Sequence, residues 1–123
     1  MHLILGGAFQ GKTEYAKKLY VLSDADIFVC AGTEIPADAR AVCHLERFTR
    51  ACTEHGLDVL EAWDALGLSP AVIICDDISC GVVPIDATDR LWREENGRLL
   101  AALAARAEKV TRVFCGLPLE LKP

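Results

Sequence analysis

Apolar positions along this chain come in short unbroken runs and in longer stretches with helical spacing, and the two alternate. His2 to Leu5 is a short apolar run stopped by glycine, the pattern of a buried strand. From Lys12 to Leu22 apolar residues stand at 15, 16, 19 and 22, which predicts a helix. Asp26 to Cys30 reads as a second strand, ended by Ala31-Gly32. Pro36 suits a helix start. Ala41, Leu45, Phe48 and Cys52 then share one side of a helix expected from Ala37 to about His55, where Gly56 breaks it. Leu57 to Leu66 is a second helical piece, closed by Gly67 and Pro70. Ala71 to Cys75 is continuously apolar, as in a strand covered on both faces. A loop from Asp76 to Ile85, with Gly81 and Pro84, leads to Asp86, which can cap a long helix reaching about Ala107. Val110 to Cys115 is a fourth strand, and Leu117 to Lys122 a fifth, kept to an edge by Pro118.

Strands that alternate with helices imply a parallel sheet with helices on both faces and right-handed crossovers. The expected fold is a P-loop NTPase-like three-layer αβα sandwich around a mainly parallel sheet of about four to five strands. With 123 residues the chain has room for one core, so residues 1–123 are expected to form a single domain. Ligands of such sheets bind at the carboxyl ends of the strands, where the first glycine loop, Asp76, Asp77 and Gly116 would meet.

Composition narrows the function. A 52% hydrophobic, 25% charged chain is globular, and a net charge of -5 without a basic run argues against nucleic acid as partner. No stretch approaches the ~20 apolar residues of a membrane span, and Met1 to Leu5 lacks a basic leader, so a cytoplasmic location is expected. Six cysteines without a C-x-x-C pair read as thiols packed like small hydrophobes. Cys30, Cys75 and Cys115 each end an apolar run.

The strongest chemical signal is Gly6-Gly7-Ala8-Phe9-Gln10-Gly11-Lys12-Thr13, a phosphate-loop pattern with a strand before it and a helix after. Glycines let successive N–H groups curl around an anion, and the helix aims its positive end at the same point. Lys12 would reach the β- and γ-phosphates of ATP or GTP, and the Thr13 hydroxyl would ligate Mg²⁺. A second metal anchor is usually an acid ending a neighbouring strand, and Asp76-Asp77 supplies it. Asp76 is the expected Mg²⁺ anchor and Asp77 the group that orients or deprotonates the acceptor; two solvated acids at a strand end are the simpler alternative. Arg90, Arg93 and Arg98 would either clamp phosphates or pair with Asp86, Asp89 and Glu94 one turn earlier.

Leu3-Ile-Leu-Gly-Gly-Ala-Phe-Gln-Gly-Lys-Thr resembles the opening of the adenosylcobinamide kinase / adenosylcobinamide-phosphate guanylyltransferases of cobalamin biosynthesis. Gly81-Val-Val-Pro84, Arg90-Leu-Trp-Arg93-Glu94, Gly97-Arg98, Leu103 to Val110 and Gly116-Leu-Pro-Leu-Glu-Leu-Lys122 follow that family's closing pattern in order. The resemblance implies a P-loop α/β fold, homo-oligomeric assembly and two reactions. A nucleoside triphosphate phosphorylates the hydroxyl of adenosylcobinamide, and GTP then donates GMP through a histidine-linked intermediate. It places the guanylylated histidine in the helix after the second strand, where His44 in Arg40-Ala-Val-Cys-His44-Leu-Glu-Arg47 is the best match; otherwise His44 is an ordinary helix residue. Neutral imidazole both attacks and leaves well near pH 7. His55 reads as a helix-end cation and His2 as a strand residue. Asp76-Asp77 stands where the family has Asn-Glu, Pro84-Ile85-Asp86 where it has Pro-Glu-Asn, and an internal strand and helix of the family are expected to be lacking. A P-loop kinase for another small hydroxyl substrate, or an accessory protein that holds nucleotide without turnover, fits the same residues.

Overall fold

The computed structural model describes residues 1–78 and 86–123. The Gly81–Pro84 loop singled out in the sequence lies outside the described residues. In chain order the elements are β1 (His2–Gly6), α1 (Lys12–Tyr20), β2 (Ile27–Val29), β3 (Ala41–Cys43), α2 (Leu45–Glu54), α3 (Val59–Ala65), β4 (Val72–Asp76), α4 (Ala87–Arg106), β5 (Lys109–Phe114) and β6 (Leu117–Lys122). Among the described residues the strands form one sheet in the order β2-β3-β4-β1-β5-β6. The first five run parallel, and β6 returns antiparallel along β5 at the edge, with Pro118 opposite Val113.

Alternation along the strands sorts their side chains into two cores. Leu3, Val42, Ile73, Cys75 and Val110 face α2, α3 and α4, meeting Phe48, Trp63, Leu99 and Leu103. Ile4, Ala41, Cys43, Val72, Ile74 and Val113 face the opposite side, where Ala16 and Leu22 cover them. The chain is therefore the three-layer αβα sandwich expected, with a phosphate-loop turn at the end of its central strand.

Two expectations are corrected. The helix expected from Ala37 starts only at Leu45, and the residues before it form β3, so the sheet has six strands rather than four to five. Three consecutive buried residues, Ala41, Val42 and Cys43, send side chains into both cores in turn, which a strand does and a helix cannot. β3 fills the place between β2 and β4, pairing Val42 with Phe28 on one side and Ile73 on the other. The second correction concerns Cys115. It is exposed, at φ 50° in the turn between β5 and β6, while Cys30, Cys43, Cys52 and Cys75 are buried as the packing reading required.

Candidate functional site

The site begins where β1 runs out. Gly6 ends the strand at φ 156°, and a β-carbon there would lie 2.4 Å from the carbonyl oxygen of Val113, so only glycine lets the chain leave the sheet here. The loop closes at Gly11, φ 90°, which sits at the N-terminus of α1. Gln10 anchors it across the sheet edge. Its side-chain Oε1 accepts from the Cys115 N–H at 2.6 Å, and its carbonyl accepts from the Gly116 N–H at 2.8 Å. Phe9, at φ 60°, stands fully in solvent at the loop's tip.

Lys12 is 5% exposed and its ammonium is held twice. It donates to the Gly7 carbonyl at 2.6 Å and pairs with Asp76 Oδ1 at 2.7 Å. The end of β4 thus delivers one of the two sequential acids onto the phosphate-loop lysine, as its parallel pairing Gly6 to Asp76 with β1 requires. Asp77 goes elsewhere. Its N–H donates to the Gly6 carbonyl at 2.7 Å, and the residue lines a cavity of about 210 Å³ beside Leu5, Leu100 and Arg112. Thr13 Oγ1 lies 3.8 Å from Cys43 Sγ.

His44 joins this group from the end of β3, not from a helix after the second strand. It is the residue before α2, at φ 57°. That left-handed conformation is costly for a side chain bearing Cβ, and such strain gathers at functional positions. Its Nδ1 lies 3.0 Å from Glu46 Oε2 and 3.8 Å from Asp76 Oδ2. Glu46 is buried and fully engaged: Oε1 accepts from the Asp76 N–H at 2.9 Å, and its carbonyl accepts from Trp92 Nε1–H at 2.8 Å. His44, Glu46 and Asp76 offer ligand atoms within 4.8 Å of one another.

Two cavities meet at this cluster. One, of about 410 Å³, is lined by the loop residues Ala8 to Glu14 with His44, Arg47 and Asp76. The other, of about 660 Å³, continues past His44, Arg47 and Asp76 to Arg50, Ile78 and Trp92. A further cavity of about 380 Å³ near Met1, Pro70 and Arg106 lies outside this cluster, and its Asp64 is already bound by Arg106 at 2.7 Å.

Of the arginines on α4, none lines the loop cavity. Arg98 pairs with Glu95 and Asp58, both at 3.0 Å, rather than with Glu94, and Asp89 takes its partner from Arg50 on α2. Asp86 does cap α4, accepting from the N–H groups of Thr88 and Asp89. His55 ends α2, its Nδ1 2.8 Å from the Ala51 carbonyl oxygen. Burial pushes the thiol of Cys30 up to about 12 and raises those of Cys43 and Cys75, so all three stay protonated at neutral pH. Glu46, Arg47 and Trp92 were not legible as site residues, because their meeting depends on β3 placing the start of α2 against α4.

A parallel αβα sheet, a phosphate loop between its central strand and first helix, and an acid ending the adjacent strand define a P-loop NTPase-like protein. The sequence model of the cobinamide kinase / cobinamide phosphate guanyltransferase family matches residues 39–121, about two thirds of the chain, and the chain belongs to that family. It is 36% identical over 61 residues to the bifunctional adenosylcobalamin biosynthesis protein CobP of Pseudomonas aeruginosa. That stretch is 48% of this chain and 35% of the relative, so the chain spans about a third of the curated relative's length in this match. The family match begins after the phosphate loop, so the loop and the match are separate observations.

Proposed function

We propose that the chain acts in nucleotide-loop assembly of cobalamin, phosphorylating adenosylcobinamide and transferring GMP from GTP to the phosphorylated product. The observation that carries this reading is the Lys12–Asp76 pair at 2.7 Å, set beside the His44–Glu46 pair at 3.0 Å at one sheet edge. It joins a phosphate grip to a nucleophile in a member of this family.

The loop N–H groups and the start of α1 favour an anion. A bound ATP or GTP draws Lys12 from Asp76 to the phosphates, which frees the carboxylate. Asp76 and the Thr13 hydroxyl are hard oxygen donors lining one cavity, the donor type Mg²⁺ prefers, and they would hold it. When bound, Mg²⁺ supplies neutralisation of phosphate charge. For the second reaction, Glu46 accepts the Nδ1 proton of His44 and leaves the Nε2 lone pair free. Nε2 attacks the α-phosphorus, a P–N bond forms, and the α,β-bridging P–O bond breaks to release pyrophosphate. A phosphate oxygen of the acceptor then attacks phosphorus and breaks the P–N bond, returning neutral His44. We assign these steps to Lys12, Thr13, Asp76 and His44. Asp77 faces a different cavity, and a role in deprotonating the acceptor requires that the acceptor reach it there.

No helix among the described residues is long and apolar enough to cross a membrane, which agrees with a cytoplasmic enzyme. Phe114, Leu117, Leu119 and Leu121 leave an apolar surface on the β5–β6 edge, which suits homo-oligomeric assembly. A second reading, a P-loop kinase for another small hydroxyl substrate or a nucleotide-holding accessory protein, draws on the short span shared with the relative.

One experiment separates these. The protein is incubated with Mg²⁺ and GTP, with and without adenosylcobinamide, and followed by product chromatography and intact-protein mass. A GMP-sized adduct that vanishes in His44→Ala, together with phosphorylated cobinamide, is the expected result. Phosphorylated product without adduct leaves a kinase alone. Nucleotide binding with no product leaves the accessory protein.

A further inference from the structure

The loop cavity is lined by three basic side chains, and two are already committed. Lys12 is bonded to Asp76, and His44 to Glu46. The third, Arg47, is exposed and makes no side-chain hydrogen bond or ion pair among the described residues. One turn later Arg50 shows what a structural arginine on this helix looks like. It is bound by both Asp89 and Glu54 and lies over the Trp92 ring at 5.1 Å.

The placement of Arg47 is also electrostatically unfavourable for the fold. It stands in the first turn of α2, its N–H bonded to the His44 carbonyl at 2.9 Å, where the helix dipole presents positive potential and repels a cation. A cation without a partner among the described residues, at a helix end that disfavours it, is accounted for by an anion arriving from outside. The anion's location follows from the cavities. Arg47 lines both the loop cavity and the larger one beyond it, so the residue stands where the two meet.

We propose that Arg47 grips the terminal phosphate of the bound nucleoside triphosphate, at the point where that group faces an acceptor in the second cavity. This rests on the nucleotide-binding reading of the loop. A planar guanidinium with several N–H donors matches a terminal phosphate and neutralises the charge that develops there during transfer. Arg47 would thus add to the hold of Lys12 on the terminal phosphate and sharpen the distinction between triphosphate and diphosphate, while the loop N–H groups cradle the inner phosphates.

The test is calorimetric titration of the full chain with Mg²⁺-GTP and Mg²⁺-GDP, in wild type, Arg47→Ala, Arg47→Lys and Lys12→Ala. Arg47→Ala is expected to weaken GTP by about tenfold or more while changing GDP by about twofold or less. Arg47→Lys should recover part of the loss. Thermal melting should show no destabilisation in Arg47→Ala, since no side-chain bond among the described residues is broken and a repelled cation is removed. Equal weakening of both nucleotides, or none, overturns the proposal while Lys12→Ala still abolishes binding. If wild type binds neither nucleotide, or Lys12→Ala binds both as wild type does, the nucleotide reading falls and this proposal with it.

Discussion

At Gly6 the backbone comes closer to its neighbour than any side chain permits. A methyl group there would sit 2.4 Å from the Val113 carbonyl, which belongs to the paired strand and cannot swing aside. Gly6→Ala must therefore separate β1 from β5 or distort the loop, at a cost of about 2–3 kcal/mol, read as a drop in the urea midpoint. A midpoint within experimental scatter of wild type would mean that the loop leaves the sheet by another path. Glu46 makes a different kind of demand. It holds His44 through one oxygen and the Asp76 N–H through the other, so the tautomer that the proposed guanylylation needs depends on its being a carboxylate. Glu46→Gln keeps an acceptor for the Asp76 N–H but offers His44 an N–H in place of an oxygen. The imidazole must then carry its proton on Nε2, the nitrogen that attacks in the proposed transfer. Guanylylation followed by intact mass should slow by about a hundredfold or more, with GTP affinity retained. An unchanged rate would show that Glu46 does not orient the histidine.

Among the elements, the helices and five of the six strands were readable, the three-residue β2 included, and β3 was not. β1, β4 and α4 carry signals that no tertiary contact needs to supply: a glycine stop, an all-apolar run, and a capping Asp86. Replacing that cap tests the reading directly. Asp86→Ala leaves the Thr88 and Asp89 N–H groups without their partner and should cost about 1 kcal/mol, seen as a lowered thermal midpoint. β3 is the opposite case. Three apolar residues fit a helix face as well as a strand, and only the vacancy between β2 and β4 decides. Misreading it moves His44 from a strand end into a helix and hides Glu46 and Arg47, which β3 positions. The phosphate loop was legible because its spacing is dictated by local backbone geometry. The His44–Glu46–Asp76 cluster was not, because it joins the ends of β3 and β4 to the start of α2, and nothing along the chain records that meeting.

The stability of the whole molecule should carry the signature of a buried histidine far from the site. His2 lies in β1 with 2% of its surface exposed, between Tyr20 of α1 at 2.6 Å and Thr111 of β5 at 2.7 Å. It thus ties the central strand to a helix on one face and to the next strand of the sheet. Burial, reinforced by the charge of Lys109, holds its pKa below the usual 6.5. The sign follows from proton counting. Below pH 6.5 the unfolded chain takes up a proton on this residue that the folded chain still refuses, so protons favour unfolding and stability falls with pH. Above pH 6.5 both states are neutral and the contribution is flat. The carboxylates of Asp24, Asp26 and Asp58, whose pKa values are lowered by hydrogen bonds to Lys17, to Ser23 and to the Glu61 N–H, act in the same direction. They lose their contribution only near and below 3.8, well under the histidine window. Between pH 7.5 and 5.5 the urea midpoint of the wild type should therefore fall, and the fall should shrink in His2→Gln, whose amide can still meet Tyr20 and Thr111 without titrating. An equal fall in both proteins would place the acid sensitivity elsewhere and leave His2 as a tie between elements with no part in the pH response.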